Sequence, residues 1–398
     1  MAPGRRPFKI LYLQSTSEVG GTDISLLRIL QSLDKTKFEP HVILPKEGPF
    51  AESYRRAGAR LHILPGMLKM TRRKGVFHFL KFAVGYLPTV LAIRKLIQKE
   101  RIDLVHTNTM HNLYGFLAAK LGGVPHVWHI REIVVQSRFF ALLEKFLVKK
   151  FSDRFIAMDL PIAETFLTRR FGFPPNLVKL YEGIDLEKFH PHISGSRIRG
   201  ELKIAEGIPL VGMVCRLDPW KGVELFLEAV RKIHAERPEV RFLVCGGEIE
   251  GHEGYELFLK KKAAELGLSE AVYFTGWRYL PEDIPEVYRA LNLSVQCSTN
   301  PEPYGLVCLE AMASAVPMVA PKEGGPSELC VDGQTALLVP PRNAEAVAQA
   351  VLTLLSNPTQ AVAMGQAGRL RAERLFELGH CTREMEKIYE EIFKTHER

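Results

Sequence analysis

Asn300-Pro301-Glu302-Pro303-Tyr304-Gly305-Leu306-Val307-Cys308-Leu309-Glu310-Ala311-Met312 is a loop rich in turn formers that runs into an apolar, helix-like stretch. One carboxylate, Glu302, stands in the loop, and a second, Glu310, stands in the helix. Proline suits a first helical turn, and glycine lets a backbone approach a ligand closely. A helix starting after Gly305 turns unpaired N–H groups and the positive end of its dipole toward the loop, which suits a phosphate. The amides around Gly305, Leu306 and Val307 are the ones so exposed. Glu310 then lies about 7–8 Å along the axis from Gly305, at roughly 1.5 Å per residue. A nucleotide-sugar needs this order, with diphosphate in the middle, sugar hydroxyls on one side and ribose hydroxyls on the other. Ionised carboxylates accept hydrogen bonds from vicinal hydroxyls and repel phosphate, so the pair sets the direction of binding. By spacing alone the stretch also suits a surface helix with two solvated glutamates.

Working outward, strand-like runs alternate with helical patterns on both sides. Upstream in the second half, Leu210 to Val214 reads as a strand and leads into Cys215-Arg216-Leu217-Asp218-Pro219-Trp220-Lys221-Gly222 and a helix from Val223. Arg216 and Lys221 are two cations at the carboxyl end of that strand, able to neutralise a diphosphate with a forked donor and a point charge. As a pair of surface cations they would do nothing. Downstream, strand Pro317 to Ala320 precedes Glu323-Gly324-Gly325-Pro326-Ser327-Glu328. The chain begins in the same way, with strand Lys9 to Gln14, a loop Gly20-Gly21-Thr22-Asp23 and a helix with Leu26, Leu27, Ile29, Leu30 and Leu33. It has neither G-x-G-x-x-G nor a Walker lysine, so no dinucleotide or NTP site is indicated. Two strand-first α/β halves imply two doubly wound domains, which bind ligands at the carboxyl ends of their strands.

The 398 residues, 46% apolar and 25% charged, are ordinary for two globular domains. The net charge of +8 is the sum of a basic half, +16 over residues 1–200, and an acidic half, −8 over residues 201–398. A basic half suggests an anionic partner. The segment 67–100 combines Lys69, Arg72, Arg73, Lys74 and Lys81 with aromatic and aliphatic residues and is interrupted by Pro88. It is a poor membrane span and reads either as an interfacial helix or as a core-facing helix with a solvated basic face. Arg138 to Lys150 has the same character. The six cysteines all lie in the second half, in no framework spacing, and read as reduced, buried thiols of a cytosolic protein. The N-terminal apolar run, Ile10 to Leu13, is too short for a signal peptide. His106, His111, His126 and His129 have no zinc spacing, and no D-x-D occurs, so no metal is expected.

Arg216, Lys221-Gly222, Glu302 and Glu310 separated by seven residues, Gly324-Gly325 before Glu328, and Gly20-Gly21 together resemble the retaining glycosyltransferases of family 4. The resemblance spans nearly the whole chain. It implies the GT-B architecture, α/β with two Rossmann-like domains facing across a cleft and a final helix crossing back to the first. The expected boundaries are 1–190 for the acceptor side, 191–208 for a linker, 209–375 for the nucleotide-sugar domain and 376–398 for the returning helix. By resemblance, Arg216 and Lys221 bind the diphosphate, Glu310 holds ribose, and Glu302 contacts the donor sugar near its anomeric carbon. Gly20-Gly21 lie near donor and acceptor, Gly324-Gly325 belong to the donor site, and His129 matches a histidine that touches the donor sugar. The chain departs from the pattern at Glu182, Asp159, Ala315 and Ala336, where Asn, Ser and two glycines are common, and His129 is followed by Ile130-Arg131-Glu132 rather than by Asp.

The resulting expectation is a metal-independent, retaining transfer from a UDP- or GDP-sugar to a glycan or lipid-linked acceptor. It would serve polysaccharide or glycolipid synthesis, in the cytoplasm or at the inner face of an anionic membrane. A glycoside hydrolase shares paired carboxylates but has no use for the cation pair. An epimerase or phosphorylase of the same architecture, and a non-catalytic nucleic-acid-binding protein, are the alternatives; no nucleic-acid motif is present.

Overall fold

Near-continuous apolar runs such as Ile10-Leu11-Tyr12-Leu13 and Val211-Gly212-Met213-Val214 carry no polar face, which is the pattern of parallel strands covered on both sides. The computed structural model, which describes residues 6–16, 20–68, 75–132, 138–166 and 172–396, places them at the centres of two parallel sheets. Two units divide the chain, one of Met1–Gly183 with Leu378–Arg398, the other of Ile184–Glu377.

In the first unit the elements follow as β1 (Phe8–Leu13), α1 (Gly21–Ser32), β2 (Phe38–Leu44), α2 (Ala51–Arg56), β3 (Arg60–Ile63) and α3 (Gly75–Glu100). Next come β4 (Leu104–Thr107), α4 (Gly115–Gly122), β5 (His126–Ile130), α5 (Arg138–Phe151), β6 (Arg154–Ala157), α6 (Leu160–Glu164) and β7 (Leu177–Lys179). The sheet order is β3-β2-β1-β4-β5-β6-β7, so the order reverses between β1 and β4. The second unit holds α7 (Ser196–Glu201), β8 (Leu210–Val214), α8 (Val223–Glu236), β9 (Arg241–Cys245), α9 (Tyr255–Glu265), β10 (Val272–Phe274) and α10 (Ile284–Ala290). It continues with β11 (Leu293–Val295), α11 (Leu306–Ala313), β12 (Met318–Pro321), α12 (Pro326–Leu329), β13 (Leu337–Val339), α13 (Ala344–Ser356) and α14 (Pro358–Leu375). Its sheet runs β10-β9-β8-β11-β12-β13, with the switch between β8 and β11.

The last helix, α15 (Leu378–His396), belongs to the first unit. Met385, Ile388, Tyr389, Ile392 and Phe393 recur at helical spacing and enter the core that holds Phe8, Tyr12 and Phe38. Phe393 stacks on Phe8 with ring centroids 3.9 Å apart, and the Tyr389 hydroxyl donates to that of Tyr12 at 3.2 Å.

Three expectations change. The second unit begins at Ile184, and the stretch expected as a linker packs on it. Gly195 has no room for a Cβ against Arg289 and Ala290, and Arg199 donates to the Ala290 carbonyl at 2.9 Å, which builds α7 into the unit. Pro88 does not interrupt α3, which runs through it. The carbonyl that proline leaves without a donor, four residues back, is that of Val84, whose residue is 78% exposed, so water can satisfy it. The helix α14 and the short strands β13 and β7 carry too little periodicity to have been read.

Two of the departures prove conservative. Asp159 caps α6 by accepting from the Ile162 amide at 2.8 Å, as serine would. Ala336 is not among the positive-φ residues, so its turn needs no glycine. Ala315 is different, because it sits at φ +53°. Relief of the left-handed strain outweighs glycine's extra unfolded-state entropy. Ala315→Gly is therefore expected to raise stability by about 0.5–1 kcal/mol, read as a higher denaturant midpoint; an unchanged or lower midpoint would refute it.

Candidate active site

The switch point of the second sheet lies between β8 and β11, and the two segments that leave those strands build the site. After β8 the chain passes Arg216 and a 3₁₀ turn, Pro219–Lys221, and then Gly222 at φ +76° starts α8. A Cβ on Gly222 would stand 1.9 Å from the Cys297 carbonyl oxygen, so only glycine lets the Lys221 turn press against the strand-end of β11. The Thr299 amide closes that contact by donating to the Trp220 carbonyl at 2.7 Å.

Lys221 Nζ lies 2.8 Å from both carboxylate oxygens of Glu302. Ser298 Oγ donates to Glu302 Oε2 at 2.8 Å, and Gln296 Nε2 donates to the same oxygen at 3.2 Å. The Cys308 thiol donates to Gln296 Oε1 at 3.3 Å, which orients the amide. Glu302 is thus a buried, oriented carboxylate and not a solvated one. Glu310 is buried too, and the Tyr288 hydroxyl lies 3.2 Å from both Glu310 Oε2 and the Val307 carbonyl. The solvated-helix alternative is therefore excluded.

Helix α11 starts at Gly305, at φ +89°. Among the described residues no hydrogen bond is made by the Leu306 or Val307 amide, the orphan donors of a helix N-terminus. Gly324 and Gly325 support the loop from behind. Their added Cβ atoms would fall 2.5 Å from the Glu302 oxygen and 2.2 Å from the Tyr304 oxygen, and the Gly325 amide donates to the Glu302 carbonyl at 2.8 Å. Their place is thus to shape the loop.

Arg216 is half-buried, and its guanidinium has no hydrogen bond or ion pair among the described residues. Burial pushes the neighbouring Cys215 thiol up to about 12, while the charges of Lys221 and Arg216 both pull it down. A site with this inventory can bind a dianion with Arg216 and free amides, and present a carboxylate to hydroxyls.

Gly20, Gly21 and His129 belong to the first unit. Gly20 is extended and accepts from the Asp23 and Ile24 amides, opening α1 at the carboxyl end of β1. His129 is buried at the end of β5. Arg131 Nη2 donates to its Nδ1 at 3.3 Å. A guanidinium only donates, so the neutral ring carries its proton on Nε2, an atom without a partner among the described residues. The rest of Arg131 is equally committed: Nε donates to Asn108 Oδ1 at 2.8 Å, and Nη1 pairs with Glu182. Ser25 also donates to Glu182. The two departures at positions 131 and 182 thus meet as one buried ion pair. His129 lines a cavity of about 20 Å³ with Ser25, Glu182 and Thr382, room for one water.

The other histidines do not form a cluster of ligands. His106 meets the Tyr389 hydroxyl at 2.7 Å, His126 meets Thr107 at 2.8 Å and His111 meets Glu144 at 3.0 Å. Burial holds His106 and His129 well below their ordinary range, and His126 at about 3. Below about pH 6.5 the unfolded chain protonates these rings and the fold does not, so stability falls as pH falls. Each ring contributes roughly 1.4 kcal/mol per pH unit, partly offset by Asp23, whose carboxyl burial raises. Urea midpoints of the first unit are expected to drop between about pH 6.5 and pH 5; a flat profile would contradict this.

Gln296, Ser298 and Tyr288 were not singled out from the sequence. The signal for the first two is the alternation Ser294-Val295-Gln296-Cys297-Ser298, with every polar member buried on a strand-end otherwise read as apolar. Tyr288 has no such signal, because it reaches Glu310 only through the packing of α10 on α11.

Two family descriptions match the chain in tandem: Glycosyltransferase Family 4 over residues 19–188 and Glycosyl transferases group 1 over residues 195–371. The lipopolysaccharide core biosynthesis mannosyltransferase LpsB of Rhizobium meliloti is 29% identical over 252 residues, 63% of this chain and 68% of that protein. The GDP-mannose-dependent alpha-(1-6)-phosphatidylinositol monomannoside mannosyltransferase of Mycolicibacterium smegmatis is 32% identical over 207 residues. That match takes in 50% of this chain and 52% of the relative, about half of its length. The crystal structure of Anabaena Alr3699/HepE in complex with UDP and glucose superposes with a TM-score of 0.82 at 23% identity, covering 96% of this chain and 99% of that one. The shared fold is GT-B.

Proposed function

Because this chain belongs to the group 1 glycosyltransferases, family 4, and is a glycosyltransferase enzyme, we propose that it transfers a sugar from a nucleoside diphosphate sugar to an acceptor hydroxyl with retention of configuration. The observation that carries this reading is the Lys221–Glu302 pair together with the uncommitted Leu306 and Val307 amides and the Arg216 guanidinium, which has no partner among the described residues. The diphosphate is held by Arg216, Lys221 and those amides, with ribose hydroxyls on Glu310. Glu302 accepts from donor-sugar hydroxyls. The acceptor hydroxyl attacks the anomeric carbon on the side the phosphate leaves, that bond breaks, and the departing phosphate oxygen takes the hydroxyl proton. Negative charge grows on the leaving oxygens, so cations and a helix N-terminus preorganised around them stabilise the transition state. No metal is needed in this scheme. His129 supplies a neutral Nε2–H to a sugar oxygen, and Gly20-Gly21 border the substrates.

UDP in the HepE complex and GDP-mannose in the mycobacterial relative's name support a UDP- or GDP-sugar. The relatives act in lipopolysaccharide and phosphatidylinositol mannoside synthesis by name, which supports a glycan or lipid-linked acceptor at a membrane surface. A thermal-shift screen of UDP-, GDP-, ADP- and TDP-sugars tests the donor, since a bound ligand stabilises by mass action. One nucleotide series is expected to raise the midpoint in wild type and not in Arg216→Ala. No shift with any of them would overturn the donor assignment. Isomerisation or phosphorolysis of the donor without transfer would replace the reaction.

A further inference from the structure

The helices α3, α4 and α5 lie on one face of the seven-stranded sheet. The strands they join, β3 to β4 to β5 to β6, step in one direction through the sheet, and right-handed crossovers then place all three on one side. Ring contacts confirm the neighbours: Tyr86 of α3 lies 5.2 Å from Tyr114, at the start of α4, and Phe116 of α4 lies 5.4 Å from Phe151 of α5.

Helix α3 has two apolar rows, and α5 turns apolar residues outward, which a helix serving only the core does not need. On α3, Phe82, Val90, Ile93 and Ile97 are buried. A second row, Phe77, Leu80, Val84, Leu87 and Leu91, is exposed, with Phe77 at 88%. On α5, Val148 and Glu144 point inward while Leu142, Leu143 and Phe146 are exposed. The three helices carry nine Lys and Arg against two acidic residues, Glu100 and Glu144. Both acids are already engaged, Glu100 with Arg60 at 3.0 Å and buried Glu144 with His111 at 3.0 Å. The outward charge is therefore cationic. Lys150 lays its ammonium over the Phe146 ring, 5.5 Å from its centroid, a cation–π contact that sets a positive charge on the exposed apolar face of α5. Lys69, Arg72, Arg73 and Lys74, counted in this segment from the sequence, lie outside the described residues.

We propose that the exposed rows of α3 and α5 form a docking surface for an anionic lipid bilayer, with the apolar side chains at the acyl boundary and the lysines at the headgroups. Among the described residues no helix is long and apolar enough to cross a membrane, so these helices lie along the surface. Charge selects the occupant: an apolar stripe rimmed by cations, with no acid left to face a basic partner, fits anionic headgroups. The idea deepens the membrane-surface acceptor reading but is measured without catalysis, so the two fail separately.

The test is flotation of the full chain with phosphatidylglycerol-containing vesicles and with pure phosphatidylcholine vesicles, at low and high salt. Recovery is expected on the anionic vesicles at low salt and is expected to fall at least tenfold with salt, on neutral vesicles, and in Val84→Glu/Leu87→Glu. Because both residues are exposed, that variant should keep its thermal midpoint and its nucleotide-sugar shift. Equal recovery on neutral vesicles, no recovery at low salt, or wild-type binding by the variant overturns the proposal. So does a lipid-free dimer that the variant dissociates, which would assign the face to a second copy of the chain.

Discussion

Lys221→Ala is expected to lower kcat/KM for sugar transfer by about a thousandfold, the scale seen when one preorganised group facing a developing anion is removed. The loss has two parts that different measurements separate. On the proposed mechanism the charge that meets the leaving phosphate disappears, which lowers kcat. Glu302 also loses the ammonium that touches both its oxygens and keeps only Ser298 and Gln296. A nearly buried carboxylate stripped of its cation destabilises the fold, here by about 2–3 kcal/mol with two donors remaining. Lys221→Ala/Glu302→Gln should recover much of that stability and none of the activity. Lys221→Ala with full turnover would remove Lys221 from the chemistry, and a double variant as unstable as the single would show that the pair is not what holds the loop.

Arg131→Met is expected to cost the first unit about 3–5 kcal/mol, because it leaves Glu182 as a buried charge without its cation. For a unit of this size that is a fall of roughly 10 °C in thermal midpoint. Arg131→Met/Glu182→Leu, which removes both charges, should regain more than half. A merely structural arginine would show only this. Arg131 also sets the His129 tautomer, so nitrogen NMR of the wild type should show a neutral ring protonated on Nε2 across the folded pH range. In the double variant, which folds, the tautomer should become mixed. An unchanged spectrum there would show that Arg131 does not orient His129.

The site was legible where chemistry is local. The carboxylates Glu302 and Glu310, the cations Arg216 and Lys221, and the glycine before α11 are chemically conspicuous and close to a strand end. Glu302 was readable as a carboxylate in a loop, but its clamp was not, because Lys221 is far away in sequence and Gln296 and Ser298 look like ordinary strand residues. Gly324 and Gly325 were read as part of the donor site, and the structure shows what they pack against, the backbone of Glu302 and Tyr304. Glycine permits close approach of any backbone, and the sequence does not say whose. Position 182 was legible only as an odd residue; its partner, Arg131, was another odd residue, and only their meeting explains either.

By itself the sequence determined the two parallel α/β halves, the positions of most strands and the charged groups that leave them, because period, turn residues and apolar runs act over a few residues. Only the tertiary structure decided what those groups touch. It joined Lys221 to Glu302, returned α15 to the core of Phe8 and Tyr12, and showed that α3 has one apolar row inside and another outside. The reason is physical: pairing and burial depend on contacts between segments far apart in the chain, and a row of leucines and phenylalanines has the same pattern whether it meets a core or water.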